Sequence, residues 1–120
     1  MTMGSSKTME AAGRGYRAAT DQRVFRELWI SLASLLRSYM AAHGLHQNRH
    51  ATIEAGDERI TVRHKEKWLC LERDVAIVIW TRENGSGGSM EITEAGRLRS
   101  GLNEEEMDMA AEAWARELIR

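Results

Sequence analysis

The chain has 120 residues, 42% of them hydrophobic and 29% charged, with a formal net charge of −1. That length supports one domain with a single core, and the near-zero net charge offers no general attraction to phosphate backbones or acidic membranes. No run approaches the ~18 consecutive apolar residues of a membrane span, the start MTMGSSKTMEAAGRG lacks the apolar core of a secretion signal, and a single cysteine, Cys70, excludes an internal disulfide framework and fits a reducing cytoplasm.

Charge is unevenly placed. The first 26 residues carry Lys7, Arg14, Arg17, Arg23 and Arg26 against Glu10 and Asp21, whereas the last 18 carry six acids against Arg116 and Arg120. Residues 1–19 are small, glycine-containing and aperiodic, and read as a flexible arm ahead of a single α+β domain over 20–120. The strongest helical pattern follows. Val24, Phe25, Leu28, Trp29, Leu32, Leu35, Leu36, Tyr39 and Met40 recur at three- and four-residue steps. Thr20 or Asp21 is placed to cap a helix over 21–43, and Gly44 to end it in a left-handed conformation.

ATIEAGDERITV then reads as a hairpin about a two-residue turn at Gly56-Asp57, pairing Ile53 with Ile60 and Glu54 with Arg59. A second turn at Lys65-Glu66 sets Val62 against Leu69 and Ile60 against Leu71 on a dry face, with Arg63 beside Trp68, Thr61 beside Cys70 and Arg59 beside Glu72 opposite. A third, at Arg73-Asp74, has weaker chemistry because neither residue favours positive φ. It places Val78 and Trp80 on the dry face; a three-residue turn would flip that strand. GSGGS reads as a flexible hairpin loop, and MEIT as a fifth strand with Met90 and Ile92 inward. For the last helix, Asn103 with Glu106 fits a capping box and Leu102 with Met107 a hydrophobic staple. Its inner stripe is Met107, Ala110, Ala111, Trp114 and Leu118.

The expected fold is therefore α+β: a long N-terminal helix, a five-stranded antiparallel meander and a C-terminal helix, both helices on one face of the sheet. Two helices ~10 Å wide cover one face of a five-stranded sheet about 24 Å across, not two. Yet WLCL and VAIVIW are apolar at every position. The helix-free face then carries Trp68, Cys70, Val75, Ile77 and Ile79, rimmed by charges that include Arg59, Arg63 and Glu72. Apolar stripes with polar rims mark contact sites. The expected function is a small, non-enzymatic homodimeric interaction or adaptor module that associates through this face. Coverage by the arm, or by closure of the sheet into a barrel, competes with a second copy or another protein partner. A small apolar ligand, or single-stranded nucleic acid stacked on Trp68 beside Arg59 and Arg63, are the alternatives.

Other motifs carry less. His43, His46 and His50 cluster in sequence, but Gly44 breaks helical spacing and no cysteine or acid adjoins them, so no metal or cofactor is expected. Cys70, Glu72 and His64 lie on neighbouring strands, with His64 expected on the face opposite Cys70. NGSGGS leads into a strand rather than a helix and lacks a following lysine, unlike a phosphate loop.

Overall fold

The computed structural model describes residues 4–45 and 51–120, with side chains described over 22–44 and 51–120. Nine elements follow in order: α1 (Gly4–Leu45), β1 (Thr52–Ala55), β2 (Arg59–His64), β3 (Lys67–Asp74), β4 (Ile77–Arg82), β5 (Gly87–Ile92), β6 (Arg97–Ser100), β7 (Asn103–Glu106) and α2 (Met107–Ile119). The strands form one antiparallel sheet in sequence order, β1 to β7. The α+β class holds, with seven strands where five were expected. The bounds of α1 take in most of the stretch read as an arm over 1–19, of which no side chain is described. The helix also runs through Gly44 without a positive φ there, so that residue does not act as the expected left-handed cap.

One core joins the two helices to one side of the sheet. Phe25, Trp29, Leu32, Leu36 and Met40 of α1 meet Met107, Ala111, Ala115 and Leu118 of α2, over Ile60, Val62, Leu69, Leu71, Val78, Met90 and Ile92. The strand contributions obey the two-residue period: even positions of β2 and odd positions of β3 are buried. The sheet curls around this layer. Trp29 donates its indole N–H to the Gly56 carbonyl in the β1–β2 turn at 2.7 Å, while its neighbour Leu28 lies beside Gly96 in the β5–β6 turn, where an added Cβ would come within 3.4 Å of it. Adjacent residues of one helix thus reach turns four strands apart, which a flat sheet ~4.8 Å per strand could not bring together.

The register differs from expectation in an instructive way. β2 and β3 pair as read, with Arg59 opposite Glu72, Thr61 opposite Cys70 and Arg63 opposite Trp68, and Lys65 takes a φ of 57° in the turn. β1 instead pairs Ile53 with Val62 and Ala55 with Ile60, leaving a longer turn closed by a Gly56 N–H to Arg59 carbonyl bond of 2.8 Å. The β3–β4 turn is Val75-Ala76, not Arg73-Asp74, so Leu71 faces Trp80. The β1–β2 pairing is displaced by two residues and the β3–β4 pairing by four; both steps are even, so every side chain keeps its expected face, and the flipped alternative for β4 does not occur. Val75 sits at a φ of 55°, unfavourable for a β-branched residue. Arg73 holds that turn: its guanidinium donates to the Val75 and Asp57 carbonyls and lies 5.7 Å from the centre of the Trp29 ring.

Two strands escaped the sequence reading because they bury almost nothing. In β6 only Leu98 is buried, and in β7 no residue is. Ion pairs tie them together instead, Arg97 with Glu106 at 2.5 Å and with Glu104 at 3.5 Å, and Arg99 with Glu91 at 2.5 Å. The expected capping box is consequently absent. Asn103 opens a strand, Glu106 is the N-cap without a side-chain bond, and Leu102 is fully exposed while Met107 is buried, so no staple forms. At the other end of α2, His64 and Lys67 satisfy carbonyls that a helix leaves unbonded. His64 Nδ1 donates to the Leu118 carbonyl at 3.0 Å, and Lys67 Nζ to that of Glu117 at 3.2 Å.

Of GSGGS only Gly85 and Ser86 lie in the β4–β5 turn. Gly87 and Gly88 begin β5, opposite Thr81 and Trp80. A Cβ on Gly87 would lie 2.7 Å from the Trp80 carbonyl oxygen, and one on Gly88 only 2.9 Å from the Trp80 indole nitrogen. Gly88 leaves the platform on which the half-buried Trp80 ring packs, and Gly87 allows close approach to the Trp80 carbonyl. Gly87→Ala and Gly88→Ala are each expected to destabilise the fold by about 1–3 kcal/mol through overpacking. Gly56→Ala, whose Cβ would meet nothing closer than 3.8 Å, is expected within about 0.5 kcal/mol of the parent. Thermal melts of the three variants test this; equal midpoints would dispose of the platform.

Candidate functional site

The convex, helix-free face is built by the same alternation that fills the core. With Leu69 and Leu71 inward, Trp68 and Cys70 must point outward; with Val78 inward, so must Ile77 and Ile79. Of the eight residues singled out from sequence, seven occupy outward positions of β2–β4, and Val75 lies in the turn above them. Val75, Ile77 and Ile79 are 38%, 46% and 51% exposed. Trp68 and Cys70 are half-buried, so the open apolar area is smaller than full exposure of the stripe implies. Thr61 Oγ1 lies 3.9 Å from Cys70 Sγ. His64 sits under the helices, on the opposite face from Cys70, and shares no site with it.

Charges border the stripe in two states. Arg59 donates to Glu72 at 2.7 Å, and Arg99 to Glu91 at 2.5 Å. Each carboxylate raises the pKa of its arginine further, first through the hydrogen bond and then through the charge itself. By contrast Arg63, Glu54 and Asp74, all exposed and outward, have no ion pair among the described residues.

Glu83 was missed in the sequence because its role is a backbone contact. Its carboxylate accepts the Trp68 main-chain N–H at 2.9 Å just past the end of β4. That bond, followed by the bond from its own main-chain N–H and then by the charge of Arg82, lowers its pKa from the usual 4.5 against the opposing effect of desolvation. Only the Arg-Glu alternation of β6 and β7 hints at the other missed border, Arg97 and Arg99 facing Glu104 and Glu106.

Elsewhere one hollow is lined mainly by charged side chains. A cleft of about 590 Å³ lies between α1 and two turns, lined by Arg23, Arg26, Arg73, Asp57, Glu58 and Asp74 among others, with Arg26 and Asp57 paired at 3.3 Å. Among the described residues no group of three or more His, Cys, Asp or Glu side chains is arranged to hold a metal, and no helix is long and apolar enough to cross a membrane. His43 stacks on Tyr39, with ring centres 6.4 Å apart, and His46 and His50 lie outside the described residues.

Because the folded-state pKa of Glu83 is depressed, its contribution to stability is present above the unfolded value and is lost as pH falls through the folded one. Glu83→Gln keeps an acceptor but no charge. It is expected to melt below the parent at pH 7, with the gap closing at pH 3. A gap of unchanged size at pH 3 would contradict the assigned bond. Comparison with known proteins adds nothing to this reading: no family model, no curated protein and no solved structure matches the chain.

Proposed function

We propose that this chain is an interaction module rather than an enzyme, and that it associates as a homodimer through the convex face of its sheet. The observation that carries the reading is the exposed row of Val75, Ile77 and Ile79 beside half-buried Trp68 and Cys70, bounded on both sides by charged side chains. The core does not need these residues apolar. Threonine at either isoleucine would serve a strand equally well, so the patch has a cause outside the fold. Two-fold dimers, which set one patch against itself, are the commonest oligomers.

The sheet edges are poorer contact sites than the face. β1 has only four residues, and β7 consists of Asn103 and three exposed glutamates, so two β7 edges repel. A stable interface covers roughly 800 Å² on each partner. That exceeds the open apolar row, so the interface includes the charged border. Phosphate backbones are the weaker alternative: Glu72 already occupies Arg59, and Glu54 stands one strand from Arg63. For an apolar ligand, the 590 Å³ cleft has the wrong lining.

Sedimentation equilibrium at micromolar concentration is expected to give twice the chain mass. Ile79→Glu, at a position half open in the single chain, is expected to weaken association by at least ~2 kcal/mol, the scale of an interface hot spot, while leaving the thermal midpoint of the monomer unchanged. A parent protein that stays monomeric throughout would end the proposal.

A further inference from the structure

We infer that the second copy docks with its strands antiparallel to those of the first, about a two-fold axis that runs across the strands midway between the levels of Cys70 and Ile79, so that Arg63 of each copy meets Asp74 of the other. This rests on the reading of the convex face as the dimer interface and specifies its geometry.

The register supplies the argument. Outward side chains fall into levels along the strands, with successive levels on one face about 6.7 Å apart. Asp74 and Ile77 form the level nearest the β3–β4 turn. Arg63 and Trp68 form the level at the other end. Between them lie one level with Glu72 opposite Ile79 and one with Thr61 opposite Cys70. The face is therefore polarised: aliphatic and anionic at one end, aromatic and cationic at the other.

An axis across the strands, midway between the inner levels, exchanges the two ends. Trp68 then lies over Asp74 of the other copy, with Ile77 one strand away. Arg63 comes to the level of Asp74, one strand away, within reach of its long side chain. Glu54 likewise comes to the level of Arg59. Arg63 and Asp74, outward charges without ion pairs within one copy, thus acquire partners, and Glu54 joins the Arg59–Glu72 pair of the other copy. An axis parallel to the strands does not exchange the ends, and leaves Arg63 and Asp74 at opposite edges of the contact. Unpaired charges of that kind decide between otherwise similar packings. Two sheets meeting face to face also favour strand directions within about 30° of alignment, which the antiparallel arrangement meets.

Arg63→Glu and Asp74→Lys test the geometry, singly and together, with the dimer dissociation constant as the readout. Both positions are exposed and free of ion pairs among the described residues, so each variant is expected to melt with the parent. Each single variant is expected to weaken the dimer about tenfold or more, by setting like charges together. The double variant restores the parent constant, because the pair is rebuilt with its signs exchanged. Single variants that dimerise like the parent, alongside an Ile79→Glu that dissociates, overturn this geometry and leave the dimer standing. Additive losses without restoration overturn it as well. A monomeric parent overturns both.

Discussion

The structure depends on the two-residue period of its middle strands. Ile60, Val62, Leu69, Leu71 and Val78 have no exposed surface, and together they form the floor on which α1 and α2 lie. A slip of one residue in any of these strands would carry its charged or hydroxyl side chains, Arg59, Arg63 or Glu72 among them, beneath the helices. Burying one such charge without a partner costs several kcal/mol, comparable with the whole stability of a domain this size. The faces are therefore fixed. Once they are, Trp68, Cys70, Ile77 and Ile79 have nowhere to point but outward.

That constraint explains what was legible in the sequence. The β2–β3 register follows to the residue, because a two-residue turn at Lys65-Glu66 leaves no slack. The neighbouring turns were misplaced, but by even steps, so the set of inward residues was unaffected. Their true positions depend on groups remote in sequence. Trp29 of α1 binds the Gly56 carbonyl, and Arg73 binds the carbonyls of Asp57 and Val75. Val75 has no local reason to adopt a positive φ, a conformation that costs about 1–3 kcal/mol. It persists because the longer β3–β4 pairing places Trp80 opposite Leu71 and because Arg73 secures the turn.

The strands that were missed lacked the signal by which strands are recognised. RLRS and NEEE bury one side chain between them, Leu98. Exposed ion pairs contribute at most about 1 kcal/mol each, too little to announce a strand in advance, although Arg97 and Arg99 meet three acids across the ladder. Asn103 and Glu106 have the spacing of a capping box, but main-chain pairing with β6 takes the segment first. GSGGS misled for the opposite reason. Glycine-rich composition indicates freedom of the backbone, whereas at Gly87 and Gly88 it answers a need for space: the Trp80 ring lies where a Gly88 side chain would stand, and the Trp80 carbonyl where one on Gly87 would.

The curl of the sheet gives the outer face its character. A concave side grips the helices, drawing the β1–β2 and β5–β6 turns towards Trp29 and Leu28; the other side is then convex, and its side chains splay. On such a surface the proposed dimer would touch first along a ridge, and here the ridge is β3 and β4, the strands that carry Trp68, Cys70, Ile77 and Ile79. The charged pairs Arg59–Glu72 and Arg99–Glu91 flank it, already neutralised within one copy. A contact of that shape would concentrate its energy in a few apolar side chains at the crest, as interfaces commonly do, and leave orientation to the charges beside them that have no partner at home. Broad complementarity would demand a flat sheet, which the grip on the helices does not permit.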